Sequence, residues 1–314
     1  MANRHEARRE TIESRTLVET AFELARSLDI TALLVQADEL QDVRLIEKLR
    51  QSEKVVWLTH STDFQGAKES ADLVISLPET TLTRISQMKI GLLLAALNEQ
   101  IELDASVVCL SGVAGSKRLD TLLIANPRRD FPWFRHHHPE KASGAIATRE
   151  LARVLEVSLR LAAEGREGRP IGTIFVLGDP EQLAPHLRQL VLNPCEGHRK
   201  KDRSIHESHF FETLREFAAL DGAFVVNRRG VVESAGTYLA APATKRTKLF
   251  SGLGARHASA AAITAETDAT AVVVSASSGT VTVFHEGRSI LELEKPVPQP
   301  MQSEAGRRRH ARNQ

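Results

Sequence analysis

Two short segments in the C-terminal half carry residue types suited to nucleotide chemistry. In Asp221-Gly222-Ala223 a carboxylate can lie close to a ribose, while the two minimal side chains let the backbone approach the nucleotide. In the second segment, Gly252 and Gly254 precede Arg256 and His257 at a predicted helix start, which offers backbone N–H groups and a guanidinium to phosphate oxygens. Attack of a hydroxyl on a phosphate needs such donors, a metal and a group that orients the hydroxyl. The two segments therefore predict phosphate chemistry on a nucleotide.

Apolar periodicity predicts the elements that position these segments. The first part of the chain alternates helical patterns at 11–29, 43–49 and 82–98 with apolar runs at 32–35, 55–58, 73–75, 107–110 and 119–124. Such alternation predicts an α/β domain with a parallel sheet covered on both faces. The second part predicts helices at 148–164, 207–220 and 256–264 and strands at 171–177, 224–226, 231–232, 270–275, 281–284 and 289–293. Because hairpins occur there as well as helices, we expect a mixed sheet.

The length of 314 residues suits two domains. Periodicity is lost at 126–143, which predicts an interdomain linker, so we expect domains at 1–140 and 145–295. The tail at 296–314 combines prolines with an arginine run and is predicted to be disordered.

The composition excludes several classes of protein. The formal net charge is +1, so there is no global basic footprint of the kind that nucleic-acid-binding proteins carry. Two cysteines form neither a disulfide framework nor a four-cysteine zinc site. Neither a signal-peptide core nor an apolar run of spanning length is present. We therefore expect a soluble cytoplasmic protein that does not enter a membrane.

Four successive blocks resemble those of the diadenylate cyclase domain, which is also the nucleotide-binding domain of the DNA-integrity scanning protein. They are 217–223, 235–239, 252–261 and 273–275, and the resemblance covers roughly 148–294. The first part of the chain resembles the C-terminal α/β domain of pyruvate kinase, as in the archaeal stand-alone branch of these cyclases. In this arrangement the N-terminal domain is expected to be a regulatory or oligomerising module. The helical DNA-binding domain of the scanning protein has no room in this chain, so we do not expect DNA binding.

The resemblance implies an enzyme, a nucleotidyltransferase that condenses two ATP molecules into cyclic di-AMP and two pyrophosphates. Asp221 would orient or activate the 3′-hydroxyl, Arg256 and His257 would lie near the phosphates, and Asp221 and His257 would hold Mn²⁺ or Mg²⁺. Two such domains would meet face to face, so a dimer or higher homo-oligomer is implied. The positions implied to bind ATP are Gly222, Ala223, Tyr238, Leu239, Gly254, Ser259 and Ser275.

Departures from the family pattern leave alternatives open. Ala255, Ala258 and Ala276 stand where a hydroxyl, a second guanidinium and an acidic residue are common, so a sensor that binds ATP or cyclic di-AMP without turnover is the main rival. A nucleic-acid-associated protein acting through the basic tail is a third hypothesis. We interpret the His136–His138 run as a solvated loop, because adjacent histidines point in different directions. We interpret Gly112–Lys117 as a strand-connecting loop, with binding of an anionic regulator as its alternative, because the spacing of a phosphate-binding loop is missing.

Overall fold

The structure is a computed structural model, and it describes residues 2–52, 54–61, 73–78, 80, 82–131, 134–135, 147–166, 169–241 and 254–296. The histidine run at 136–138, the glycine at 252 and the tail beyond 296 lie outside the described residues, so the predictions for them stay predictions. No helix within the described ranges has both the length and the apolar character that crossing a membrane requires.

The N-terminal sheet has five strands in the order β3-β2-β1-β4-β5. Its strands are β1 Ala32–Gln36, β2 Lys54–Thr59, β3 Leu73–Ser76, β4 Val107–Ser111 and β5 Thr121–Ala125. The first four in this order are parallel, whereas β5 pairs antiparallel with β4. Within the described residues, the α-helices that precede β4 are α1 Ala2–Ser27, α2 Val43–Ser52 and α3 Arg84–Leu97. Every residue of β1 and β4 is buried, which explains why these strands read as continuous apolar runs.

The predicted α/β class is confirmed, and the predicted parallel sheet needs one correction at β5. The segment between β4 and β5 contains no helix that could carry the chain back across the sheet. A short connection of this kind joins antiparallel neighbours, because a parallel crossover needs a dozen or more residues. Apolar runs alone do not reveal the direction of a strand.

The C-terminal sheet has seven strands in the order β12-β11-β10-β6-β8-β9-β7. They are β6 Thr173–Leu177, β7 Leu187–Gln189, β8 Ala223–Val226, β9 Val232–Leu239, β10 Thr270–Val274, β11 Val281–His285 and β12 Arg288–Leu293. Only the β6–β8 pair is parallel in this sheet, so the predicted mixed sheet is confirmed. The helices after α3 are α4 Pro127–Asp130, α5 Thr148–Glu164, α6 Pro180–Leu183, α7 Phe210–Phe217 and α8 Ala255–Glu266.

Helices cover both faces of this sheet. One face packs Phe175 and Phe224, whose rings stack 4.8 Å apart, against α5 and α7. The residues that alternate with them, such as Val176 and Val225, pack against Ala260 and Ile263 of α8. Alternate side chains of each strand thus belong to two different apolar clusters, one on each face of the sheet. Helix α8 packs on the opposite face from α5.

Helix α3 belongs to the N-terminal sheet but also contacts the C-terminal one. It packs on β1, β3 and β4 and touches α5 and β12. The Lys89 ammonium donates to the Glu292 carbonyl oxygen at 3.4 Å, and the Thr148 hydroxyl donates to Asn98 Oδ1 at 2.7 Å. One continuous cluster of buried apolar side chains therefore joins the two sheets.

The prediction of a linker at 126–143 is wrong for its first residues, which form a capped helical turn and part of the apolar core. Asn126 caps α4 by accepting a hydrogen bond from the Arg129 backbone, with Pro127 in the first turn. Phe131 and Phe134 are buried and meet edge to face with ring centroids 5.9 Å apart. Aromatic side chains buried from a non-periodic segment leave no periodic signal, so sequence patterns missed this part of the core.

Candidate active site

Most of the predicted site positions meet at one edge of the seven-stranded sheet. Strand β8 begins there at Ala223, beside the start of β6. Strand β10 runs antiparallel to β6 and ends there, so Ser275 follows at the same edge. Strand β9 runs antiparallel to β8 and pairs Thr237 with Ala223, so its last residues also reach this edge. The edge thus collects Asp221, Gly222, Ala223, Tyr238, Leu239 and Ser275.

Glycine is required at position 222 because the chain turns there against β9. Gly222 has φ +108°, and a Cβ placed on it would lie 2.7 Å from both the Gly236 carbonyl carbon and the Thr237 nitrogen. These are backbone atoms, which cannot rotate away as a side chain can. Gly236 itself has φ +65°. The two glycines together let the turn before β8 pack closely against β9, and this packing leaves Asp221 at the surface.

Asp221 and Arg256 are brought together. The Asp221 carboxylate is 89% exposed, and the Arg256 guanidinium lies 3.7 Å from it. Arg256 is in the first turn of α8, which begins after Gly254 and has its positive dipole end at this edge. An ion pair this exposed contributes little to stability, so both groups remain available to a ligand.

His257 is placed differently from its neighbour Arg256. It is 8% exposed, and its ring packs edge to face on Phe284 with centroids 6.0 Å apart. Burial lowers the pKa of His257 below its usual 6.5, with a smaller opposing influence from Glu292. The imidazole is therefore neutral at pH 7, the form that ligates metals, but it lies between α8 and the sheet, unlike the exposed Asp221 carboxylate.

The other predicted ATP-binding positions differ in accessibility. Tyr238 is 51% exposed, whereas Leu239 is buried and pairs with Leu187 of β7. Ser275 is half-buried, and its hydroxyl lies 3.2 Å from that of Ser277. Ser259 is also half-buried, in the first half of α8. The predicted roles of these positions in ATP binding stay predictions.

Sequence patterns missed the polar network behind the Asp221 turn. The Thr237 hydroxyl donates to Gln189 Oε1 at 3.2 Å, and the Gln189 amide donates to the Ala235 carbonyl oxygen. The Ser234 and Thr237 hydroxyls lie 2.7 Å apart. Gln189 lies in a strand of only three residues, too short for any periodicity, so no signal could have identified it.

A cavity of about 800 Å³ lies next to this network. Val191, which lines it, approaches Gly236 so closely that a Cβ there would lie 2.8 Å from the valine methyl. The cavity also exposes Leu192 and is bordered by the ion pair of Arg203 and Glu233. None of the predicted site residues lines it.

The described residues do not by themselves form a metal site. Among the described residues there is no group of three or more His, Cys, Asp and Glu side chains that could hold an ion. Mg²⁺ is, however, commonly held by one or two carboxylates together with substrate phosphates. The exposed Asp221 carboxylate fits that arrangement, in which the triphosphate supplies the remaining oxygens.

Two family models match the chain. The model described as "DisA bacterial checkpoint controller nucleotide-binding" matches residues 160–289. The model described as "Probable sensor domain DacZ_P" matches residues 13–126. The predicted resemblance to the diadenylate cyclase family is confirmed. The diadenylate cyclase match includes Asp221, Arg256 and Ser275, the residues at the sheet edge.

Two curated relatives carry the name diadenylate cyclase. The protein from Methanocaldococcus jannaschii is 34% identical over 177 residues, which cover 56% of this chain and 56% of the relative. The protein from Haloferax volcanii is 39% identical over 141 residues, which cover 45% of this chain and 51% of the relative. The chain thus matches just over half the length of these relatives. Among solved structures, a pyruvate kinase from Cryptosporidium parvum is 18% identical with a TM-score of 0.29, covering 35% of this chain and 22% of the kinase.

Proposed function

We propose that this protein condenses two ATP molecules into cyclic di-AMP. The 3′-oxygen of each ATP attacks the α-phosphate of the other, so two P–O bonds form, two α–β bonds break, and two pyrophosphates and two protons leave. The observation that carries this proposal is the exposed Asp221 carboxylate, held 3.7 Å from Arg256 inside the segment that matches the diadenylate cyclase model.

Asp221 and Arg256 have complementary roles in this reaction. The carboxylate accepts a hydrogen bond from the 3′-hydroxyl and orients its oxygen towards the phosphate. The guanidinium and the N-terminus of α8 stabilise the charge that develops on the phosphate oxygens. Binding of ATP also replaces the direct contact between Asp221 and Arg256, which is weak enough in water to be given up.

The nucleotide would extend along the sheet edge. Gly222 and Ala223 would line the nucleotide, Leu239 would offer backbone groups to adenine beside Tyr238, and Ser275 would contact phosphate. Gly254 and Ser259 at the start of α8 complete the predicted set. These assignments rest on the shared edge and on the resemblance.

The reaction needs two copies of the chain. One domain presents one Asp221–Arg256 pair, and each pair serves one ATP. Two ATP molecules react in line only if two such edges face each other, so we propose a dimer or a larger assembly containing it. At low protein concentration the specific activity should therefore fall with dilution.

A divalent cation, Mn²⁺ or Mg²⁺, fits beside Asp221. The ion would neutralise the charge on the triphosphate and the leaving pyrophosphate. Asp221 would hold it together with phosphate oxygens. His257 stays a proposed ligand, and its burial against Phe284 predicts that it acts on the ion only after α8 shifts or through a bridging group.

A second candidate is a sensor that binds ATP or cyclic di-AMP without turnover. The observation that favours it is that two exposed positions at the start of α8, Ala255 and Ala258, supply neither a hydroxyl nor a second guanidinium. Tight nucleotide binding by calorimetry without release of pyrophosphate would support this candidate.

Asp221→Asn tests the proposed enzyme. The amide keeps the shape but loses the charge, so formation of cyclic di-AMP should be abolished while ATP binding is retained. Asp268→Asn is the matched control, because Asp268 is exposed at the opposite edge of the sheet, before β10. Unchanged turnover in Asp221→Asn would refute the assigned role.

A further inference from the structure

The N-terminal sheet has polar side chains where three neighbouring strands end. On one face of the sheet, Leu34, Leu58 and Cys109 belong to the buried apolar core. Two residues further along each strand the side chains become polar, at Gln36, His60 and Ser111. Strand β1 lies between β2 and β4, which is where the strand order reverses. Crevices at the carboxyl ends of strands beside such a reversal are the usual ligand sites of open α/β sheets.

Gln36 is fully buried, and only the oxygen of its side-chain amide has hydrogen-bond partners among the described residues. Its Oε1 accepts hydrogen bonds from the Ser111 hydroxyl at 2.7 Å and from the Gly112 backbone at 3.0 Å. These donors fix the orientation of the amide, so the Nε2 group is the free end. Within the described part of the chain, Nε2 has no hydrogen-bond partner. A buried amide donor left without a partner is costly, so a group that accepts a hydrogen bond from it would stabilise this edge.

His60 supplies an acceptor at the same edge. Its Nδ1 lies 2.8 Å from the Pro78 carbonyl oxygen, which can only accept, so the neutral ring carries its proton on Nδ1. Nε2 is then an acceptor, and it is buried without a partner among the described residues. Gln36 pairs with Leu58 in the sheet, and His60 lies two residues beyond Leu58. The two side chains therefore lie at the same end of neighbouring strands and on the same face of the sheet.

The charges around this edge argue against an anion. The Asp38 carboxylate accepts from the Thr59 hydroxyl and the His60 backbone, both at 2.7 Å. The Glu39 carboxylate accepts from the backbones of Gly115 and Lys117, both at 2.6 Å. Residues 112–117 are thus a strand-connecting loop, as predicted, and its anion-binding donors are already taken by Glu39. Two carboxylates at this edge favour a neutral ligand.

We propose that the carboxyl edge of the N-terminal sheet binds a small neutral molecule with adjacent C=O and N–H groups, a carboxamide or a lactam nucleobase. The ligand carbonyl accepts from Gln36 Nε2, and the ligand N–H donates to His60 Nε2. This pairing satisfies both buried groups at once, with no charge brought in.

Helix α3 connects this edge to the C-terminal sheet. Its first turn contains Gln87, a fully buried residue whose Oε1 lies 3.4 Å from the Ser111 hydroxyl. Two residues later, Lys89 donates to the Glu292 carbonyl oxygen on β12. Helix α3 thus contacts both Ser111 at this edge and β12 of the proposed catalytic domain.

Calorimetry with uracil, hypoxanthine and nicotinamide tests the site, because each carries the required pair of groups. At least one should bind the full chain with one-to-one stoichiometry and a Kd below 1 mM, about −4 kcal/mol. Binding should persist at saturating ATP analogue and in Asp221→Asn, which separates this site from the proposed active site. Displacement of the probe by the analogue, or no binding by any probe, would overturn the proposal.

Three variants complete the test. Gln36→Glu keeps the acceptor for Ser111 and Gly112 but removes the free donor, and His60→Phe removes the acceptor. Each should weaken binding at least tenfold, whereas Gln51→Leu, at an exposed position on α2, should bind as the parent does. Where a variant fails to fold, the other decides. Undiminished binding in a folded Gln36→Glu or His60→Phe protein would contradict the proposed contacts.

Discussion

Replacing Gly222 by alanine tests how the backbone presents Asp221. The new Cβ would lie 2.7 Å from the Gly236 carbonyl carbon and 2.9 Å from the Thr237 oxygen, and φ is +108°. A non-glycine residue in a sparsely populated conformation costs about 1–3 kcal/mol. Because fixed backbone atoms block the methyl group, we expect the upper end, about 3 kcal/mol, and displacement of Asp221. Thermal unfolding followed by circular dichroism measures the loss of stability.

Gly197→Ala is the control that separates conformation from crowding. Gly197 has a similar positive φ of +78°, but nothing lies within 4 Å of a Cβ placed there. This variant should lose only about 1 kcal/mol and keep its cyclase activity. Equal destabilisation of the two variants, or full activity in Gly222→Ala, would refute the claim that contact with β9 sets the position of Asp221.

Three further predictions concern single side chains. Arg256→Lys keeps the charge beside Asp221 but loses the planar fork, so cyclic di-AMP synthesis should fall roughly 30-fold, about 2 kcal/mol, in a steady-state assay. Burial lowers the pKa of His206 in the native state. As the pH falls, the unfolded chain therefore binds a proton at this histidine before the native state does. Stability should therefore decrease as the pH falls below about 6.5, and the decrease should be smaller in His206→Gln when melting temperatures are compared from pH 7.5 to 5.5. Burial raises the pKa of Cys109 to about 12 and that of Cys195 to about 11. Both thiols should resist a thiol reagent at pH 8 in the native protein and react in urea, and fast labelling of the native protein would contradict their burial.

Sequence patterns predicted best the elements whose burial is complete. Strand β1 is buried at all five residues, and it was predicted within one residue because nothing polar interrupts its apolar run. Helix α5 was predicted with its observed bounds, since its apolar stripe repeats over four turns and Gly165 ends it. In such elements the local pattern and the tertiary environment agree.

The predictions failed where long-range contacts decide the structure. Strand β7 has only three residues and exists because it pairs with the end of β9, a contact that no local pattern encodes. The same holds for Phe134, which is fully buried although it lies in a segment without periodicity. The direction of β5 likewise depends on its neighbour and not on its own residues.

In the candidate site, too, residues with a local signal could be predicted, whereas features that depend on long-range contacts could not. Asp221 and Arg256 could be identified from residue types and from the resemblance, and the structure places them 3.7 Å apart. The need for Gly236 opposite Gly222, and the support from Gln189, depend on how β9 crosses the turn. The burial of His257 against Phe284 also depends on the packing of α8 on the sheet, so its predicted role stays a prediction.

The central claim is tested most directly by incubating the pure protein with ATP and Mn²⁺ or Mg²⁺ and identifying the products by mass spectrometry. We expect cyclic di-AMP with two pyrophosphates released per product, at a specific activity that rises with protein concentration until the dimer is complete. A folded protein that binds ATP but yields no cyclic di-AMP with either metal would contradict it.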